Sequence, residues 1–203
     1  MDAKTCIQKL KLVGVLPFAT TDSGGNPQVR CISAVHFDSE SLYFFTARGK
    51  NFCRELLEDG RVQILAHTRF NEMIRVSAKA VPAPDGEQEE KINVIFSEQP
   101  YLSNVYPNDT RKIGIIFEIN DMEIEYFNLG VNPIFRESYS VGNGIIHKKG
   151  YEITDLCISC GKCVKSCPQR CITSGKPYSI QAEHCLHCGA CFESCPVKAI
   201  KRL

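Results

Sequence analysis

Cys157-Ile158-Ser159-Cys160-Gly161-Lys162-Cys163-Val164-Lys165-Ser166-Cys167-Pro168 recurs 28 residues later as Cys185-Leu186-His187-Cys188-Gly189-Ala190-Cys191-Phe192-Glu193-Ser194-Cys195-Pro196. Both copies read C-x2-C-x2-C-x3-C-P, and no other repeat of this clarity occurs in the 203 residues. Of twelve cysteines, nine fall between Cys157 and Cys195, while Cys6, Cys31 and Cys53 are scattered over the first 150 residues. Evenly spread in an exported chain, twelve cysteines would read as a disulfide scaffold. Here they cluster, and Met1-Asp2-Ala3-Lys4 does not open a basic-then-apolar leader, so the expectation is a reduced, cytoplasmic setting. The composition divides the chain into a cysteine-poor body and a cysteine-dense tail.

Three thiolates at intervals of three residues can wrap three iron corners of one cubane from a single tight loop, and a glycine within the loop lets backbone pass close to inorganic sulfide. Gly161 and Gly189 stand at that place. This is the spacing that holds [4Fe–4S] clusters in bacterial ferredoxins. Zinc competes for C-x2-C pairs, but a zinc site takes four ligands as two separated pairs and leaves the third and fourth cysteines and the repeated proline unexplained. Residues 150–203 thus resemble a two-cluster bacterial ferredoxin domain. The resemblance implies that Cys157, Cys160, Cys163 and Cys195 hold one cluster, and Cys185, Cys188, Cys191 and Cys167 the other. The fourth cysteine of each motif is expected to start a short helix and point to the other cluster, with Pro168 or Pro196 in the first helical turn. Tyr178-Ser179-Ile180 reads as a short strand. Cys171, whose repeat mate is Ala199, lies outside the eight ligands. It reads as a small buried residue beside a cluster, the other reading being a reserve ligand or redox thiol.

A net charge of +1, from 24 Lys and Arg against 23 Asp and Glu, excludes a strongly electrostatic nucleic-acid binder. No apolar run approaches the roughly 20 residues that span a bilayer; Leu12 to Ala19 is broken by Gly14 and Pro17. No membrane or nucleic-acid partner is expected.

The body reads as mostly β. A short helix over 3–10 leads into a β-rich run over 12–22, a turn at Ser23-Gly24-Gly25-Asn26-Pro27, and a strand over 28–37 in which Val29, Cys31, Ser33 and Val35 alternate with Arg30, Ile32, Ala34 and His36. Leu42 to Thr46 is a strand, and Phe52 with Leu56 and Cys53 with Leu57 give a helix over 51–58 its apolar face. Further strands are expected over 61–68 and 73–81, a helix over 86–96, and a closing hairpin of 112–119 with 122–127. Residues 130–151 read as a linker. Several short antiparallel strands with one interposed helix suggest a small barrel, so the whole is a β-rich α+β chain. The expected divisions are a barrel domain over 1–130, a linker over 131–150 and a cluster domain over 151–203.

Over residues 3–129 the body resembles the FMN-binding split-barrel family typified by pyridoxamine 5′-phosphate oxidase. The resemblance rests on Ala19-Thr20-Thr21-Asp22, Pro27-Gln28-Val29-Arg30-Cys31-Ile32, Leu42-Tyr43-Phe44-Phe45-Thr46, Gly49-Lys50-Asn51 opening a helix, and Arg61-Val62-Gln63-Ile64-Leu65. It implies an FMN site built from Arg30, Cys31, Ile32, Ser33, Phe45, Thr46, Lys50 and Asn51. Arg30 would offer a bidentate fork to the phosphate, Thr46 a hydroxyl, Lys50 a point charge, and the start of the 51–58 helix its backbone N–H groups. Ile32 and Ser33 would lay strand backbone against the isoalloxazine edge. The resemblance also implies a homodimer with FMN at the subunit interface. Met73 stands where the oxidase carries a polar glutamine, and the oxidase's substrate-phosphate segment has no counterpart at Arg136-Glu137-Ser138-Tyr139, which argues against pyridoxamine phosphate as substrate. His36 and His67 read either as structural histidines or as residues facing the flavin.

A flavin beside two clusters divides the labour: each cluster passes one electron, and flavin accepts one or two. The expectation is an FMN-dependent oxidoreductase whose clusters relay electrons between an external donor, such as a ferredoxin, and the flavin, reducing a small organic acceptor in an anaerobic or microaerobic cell. The alternatives are an electron carrier or redox sensor without turnover, and a barrel that binds a deazaflavin or haem.

Overall fold

The computed structural model describes residues 1–203. By internal contacts the chain forms two compact units: residues 1–68, 73–125 and 138–145 in the first, and residues 69–72, 126–137 and 146–203 in the second.

The first unit opens on helix α1 (Ala3–Val13), capped by the Asp2 carboxylate, which accepts from the Thr5 N–H at 2.7 Å. The helix runs three residues beyond the expected end. Leu12 and Val13 complete a turn that stops at Gly14, whose φ of +77° is the left-handed value that glycine adopts without a Cβ clash. The strand expected from residue 12 therefore begins later. Strands β1 (Leu16–Thr21) and β2 (Pro27–Ile32) form a hairpin, with Leu16 opposite Ile32 and Thr21 opposite Pro27. The Asp22 carboxylate accepts from the N–H groups of Gly24 and Asn26, each at 2.9 Å, and locks the turn.

The strand expected over 28–37 is broken in two. The Val35 N–H donates to the Ser33 carbonyl at 2.8 Å, a tight turn that ends β2 and starts β3 (Val35–Phe37) in a different sheet. Strand β4 (Leu42–Ala47) is buried at all six positions, and helix α2 (Asn51–Glu58) follows. Next come β5 (Arg61–His67), β6 (Glu72–Lys79) and a two-residue β7 (Val81–Pro82), then helix α3 (Gln88–Glu98) and the short helix α4 (Leu102–Val105). Strands β8 (Gly114–Ile119), β9 (Met122–Asn128) and β10 (Phe135–Val141) follow, with residues 126–128 and 135–137 belonging to the second unit. β10 lies within the segment read as linker; α4 and a 3-10 turn over 108–113 were not foreseen either.

Two sheets result, one ordered β10-β9-β6-β5-β1-β2 and one ordered β3-β4-β8-β7. Phe44 of β4 meets Phe18 of β1 edge-on at 5.0 Å between ring centroids, and stacks with Phe52 of α2 at 5.7 Å and Phe117 of β8 at 5.9 Å. Its neighbour Phe45 points the opposite way, as alternation along a strand requires, and meets Phe96 and Tyr106 at 5.3 and 5.2 Å. Burying each such ring stabilises by roughly 1.5–3 kcal/mol, so β4 anchors two cores at once.

In the second unit, strand β11 (Tyr151–Ile153), helix α5 (Lys162–Ser166) and strand β12 (Ile172–Thr173) are followed by β13 (Ser179–Ile180), α6 (Ala190–Ser194) and β14 (Ile200–Arg202). The strands exchange between repeats: β11 pairs with β14, and β12 with β13. Left-handed backbone recurs at the repeat spacing, at Ser159 and His187, Gly161 and Gly189, and Arg170 and Lys198. The mates Ser166 and Ser194 are 2.9 Å apart, hydroxyl to hydroxyl. No helix of the chain is long and apolar enough to cross a membrane.

Candidate functional site

Arg30, Cys31, Ile32, Ser33, Phe45, Thr46, Lys50 and Asn51 all line one cleft of about 450 Å³ in the first unit. Three elements bring them there. β2 is the edge strand of its sheet, so one side of its backbone has no strand neighbour and faces the cleft with open N–H and C=O groups. β4 supplies Phe45 and Thr46 from the centre of the other sheet. α2 presents its N-terminus: Lys50 occupies the cap position without a side-chain cap bond, leaving first-turn N–H groups for a ligand.

Arg30 does not extend freely into this space. Its Nη2 lies 2.7 Å from Oε2 of Glu55, its Nη1 donates to the Thr20 hydroxyl, and its guanidinium carbon sits 4.6 Å from the centre of the Phe52 ring. Thr20 in turn donates to Glu55 Oε2 at 2.5 Å. The Glu55 side chain is 3% exposed and that of Arg30 23%, so the pair is desolvated on the acid's side and wet on the base's. A guanidinium has five N–H donors, and those not engaged by Glu55 and Thr20 are left for an anion. The Lys50 ammonium lies 6.0 Å from the centre of the Tyr106 ring. The Ser33 and Tyr101 hydroxyls are hydrogen-bonded.

Sequence reasoning missed Glu55, Gln28, Phe52, Leu102, Val105 and Tyr106, which share the same wall. Glu55 left a signal, a carboxylate three residues after Phe52 on the apolar stripe of α2. Leu102, Val105 and Tyr106 left none, because α4 is a single turn too short to show periodicity. Met73, His36 and His67 do not line this cleft. His36 stacks on Tyr43 at 4.7 Å, with Nδ1 2.9 Å from Glu98 Oε2 and Nε2 3.3 Å from Asp38 Oδ1, a satisfied structural histidine. A second depression of about 500 Å³, with Arg48, Arg111 and Lys112 facing Asp85, Glu89 and Asp109, contains none of the expected residues.

The cysteines of the second unit surround two separate clefts. One is ringed by Cys157, Cys160, Cys163 and Cys195, the other by Cys167, Cys185, Cys188 and Cys191. All twelve thiols of the chain are free of disulfides. No three His, Cys, Asp or Glu side chains converge closely enough to share a single metal ion. Backbone N–H groups already point at the sulfurs: Ser159 to Cys157 and His187 to Cys185, each at 3.4 Å, and Ala199 to Cys195 at 3.2 Å. Such N–H groups stabilise thiolate and tune a bound cluster's potential. Those of Tyr178 and Ser159 hold the Cys157 thiol below the ordinary range.

The fourth cysteine of each motif follows a helix rather than starting one, contrary to expectation. α5 and α6 end at Cys167 and Cys195, which have extended backbone (ψ of 116° and 113°). The residue before a proline is driven out of the helical region, so Pro168 and Pro196 act as stops. The extended turn still carries each fourth thiol across to the other set. Cys171 is buried, its sulfur 3.6 Å from that of Cys167, and burial pushes its thiol well above the ordinary range. It thus lines the second thiol cleft as the small buried residue expected there.

Comparison with known proteins agrees with both halves. The family model described as "Pyridoxamine 5'-phosphate oxidase" matches residues 5–115, and that described as "4Fe-4S dicluster domain" matches residues 156–199. A pyridoxine/pyridoxamine 5′-phosphate oxidase of Anaeromyxobacter dehalogenans is 31% identical over 88 residues, 43% of this chain and 42% of that protein. The match therefore spans less than half of the curated relative. Among solved structures, a NimC/NimA family protein of Clostridium acetobutylicum superposes with a TM-score of 0.56 at 19% identity, covering 68% of this chain and 91% of the other. A pyridoxamine 5′-phosphate oxidase-related, FMN-binding protein of Nostoc punctiforme gives 0.51 at 13% identity, covering 68% and 92%. A haem-binding protein of Mycobacterium smegmatis gives 0.55 at 12% identity, covering 68% and 57%. At these identities the structural matches establish the split-barrel fold alone.

Proposed function

The chain belongs to the pyridoxamine 5′-phosphate oxidase family, with a 4Fe–4S dicluster domain following the barrel, and from that premise we propose an FMN-dependent oxidoreductase. In this reading two [4Fe–4S] clusters relay electrons between an external donor and the flavin, which reduces a small organic acceptor at the barrel. The observation that carries it is the convergence of eight residues on one cleft of about 450 Å³ in a chain that also has two clefts lined by four and five thiols.

The cleft suits FMN in chemistry and size, within the roughly 300–1,000 Å³ of small-molecule sites. Bound FMN would supply chemistry in one- or two-electron steps, matching carriers that move one electron at a time. Arg30, Thr46, Lys50 and the first turn of α2 would hold its phosphate, and the open edge of β2 at Ile32 and Ser33 would face the ring system. Glu55 and Thr20 would act indirectly, by fixing the guanidinium. The apolar wall from Phe45, Leu102 and Val105 would exclude water from one side. Cys157, Cys160, Cys163 and Cys195 would hold one cluster, and Cys185, Cys188, Cys191 and Cys167 the other. A homodimer with FMN at the subunit interface belongs to the same proposal.

An anaerobic UV–visible spectrum with iron and flavin counts per chain tests the reading. Flavin bands over a broad absorbance near roughly 400 nm, with about eight irons, are expected. Eight irons without flavin would leave the barrel with another ligand, and zinc in place of iron would end the electron-relay reading.

A further inference from the structure

The repeat makes the two thiol sets near-equivalent, so each break in the repeat marks a difference between them. The second loop is tied down: His184 Nδ1 lies 2.8 Å from the Ile134 carbonyl oxygen, and Arg136 Nη1 lies 2.5 Å from His187 Nδ1. Its apolar residue, Leu186, is half-buried. The first loop replaces these histidines with Leu156 and Ser159. Leu156 is 70% exposed, and Ile158, the mate of Leu186, is 62% exposed. Val197 adds a third exposed apolar side chain, and both it and Ile158 border the first thiol cleft.

Charge breaks the repeat in the same place. α5 carries Lys162 and Lys165 where α6 carries Ala190 and Glu193, and all of these except Ala190 are exposed. Lys162 borders the first cleft, Lys198 follows Val197 directly, and Asp155 is the acid beside Leu156. Cys160 and Cys188 are both exposed, so proximity of sulfur to solvent does not distinguish the sets. Ile158, Val197 and Lys162, all bordering the first cleft, do, whereas Lys198 has a cationic repeat mate in Arg170.

We propose that the face formed by Ile158, Val197 and Lys162 at the first cleft, with exposed Leu156 and Lys198 next to it in sequence, is the docking port for an acidic one-electron carrier protein. The chain exchanges electrons with that carrier at the cluster held by Cys157, Cys160, Cys163 and Cys195. The proposal rests on the electron-relay reading above. One electron leaves the reduced carrier and enters the cluster, the carrier is oxidised by one equivalent, and no proton or bond is needed. Apolar contact over the cluster expels water, the lysines steer an anionic partner, and small, weak interfaces suit transient electron transfer.

The test is anaerobic stopped-flow reduction of the cluster-loaded full chain, followed by cluster bleaching. A reduced, strongly acidic [2Fe–2S] ferredoxin is the probe, and photoreduced 5-deazariboflavin is the reductant that needs no docking. With the ferredoxin, the wild-type rate should fall steeply as salt is raised, and Ile158→Glu/Lys162→Glu/Lys198→Glu should slow it by about 10-fold or more at low salt. Arg170→Glu, at the repeat mate of Lys198, should change it less than about 2-fold, and the deazariboflavin rate should stay constant throughout. Should the triple variant lose iron, Lys162→Glu/Lys198→Glu alone gives the same reading. A ferredoxin rate unaffected by these substitutions, or slowed equally by Arg170→Glu, overturns the port. A wild-type chain that binds no iron overturns the relay reading on which the port rests.

Discussion

Replacing Arg30 by alanine should damage the protein in two separable ways. Glu55, 3% exposed at its side chain, would lose the guanidinium 2.7 Å away and keep only the Thr20 hydroxyl at 2.5 Å. Removing one partner of a buried ion pair costs about 3–5 kcal/mol, because the remaining charge is left desolvated. Arg30 is 23% exposed, which places the expected loss at the lower end, about 3 kcal/mol. At about 2–4 °C per kcal/mol for a unit of this size, the barrel should melt roughly 6–12 °C lower. The same variant removes the phosphate fork, so bound flavin should fall to a trace. Arg30→Ala/Glu55→Leu separates the effects: with the stranded carboxylate gone, most of the stability should return and the flavin should not. Far-UV circular dichroism melts and flavin released on denaturation measure both quantities. Full flavin occupancy in the double variant would refute the phosphate role of Arg30. An Arg30→Ala melt within about 2 °C of wild type would refute the buried-pair argument.

Three further outcomes follow from the geometry. Gly114→Ala would put a Cβ 1.8 Å from Cε2 of Phe45, inside the core behind the cleft. It should cost roughly 1–3 kcal/mol by overpacking and weaken flavin retention, both readable from a melt and a flavin count. Cys160→Ala should remove about four of the eight expected irons and leave the flavin spectrum intact, as iron analysis of the anaerobic protein would show. Lys91, 2.9 Å from Glu118 and 3.1 Å from Glu87, has its amine held well above the ordinary 10.5, chiefly by Glu118. Because the folded value is the raised one, this stabilisation is complete below 10.5 and is lost as pH climbs beyond it. Lys91→Met should therefore be less stable than wild type at neutral pH, and the gap should narrow in strongly alkaline urea melts.

The tail was legible because its chemistry is written in spacing. Eight cysteines fall in two matched frames, and in the structure one set of four lines one cleft while the other four, with Cys171, line the second. The helix direction at Cys167 and Cys195 was misread because proline suits both a helix start and the residue after a helix end, and composition does not say which side the helix occupies. In the body, α2 and β4 could be read because their apolar residues are dense. The end of α1 could not: Leu12 and Val13 suit helix or strand, and Gly14 decides by its left-handed backbone. Arg30 could be named as a candidate from its strand and does line the cleft, yet its restraint by Glu55 spans 25 positions and leaves no local pattern.

The exchanged strands of the cluster-bearing unit close it on itself. β14 returns to β11, and the Leu203 N–H donates to the Gly150 carbonyl at 3.0 Å, so residues 150 and 203 are neighbours in space. The segment from 150 to 203 thus begins and ends at one hydrogen bond, while His184 and His187 also hold Ile134 and Arg136 of the same unit. The same closure exposes a weakness. Removing residues 200–203 would unzip β11 along with β14 and strip cover from Ile153 and the first thiol cleft.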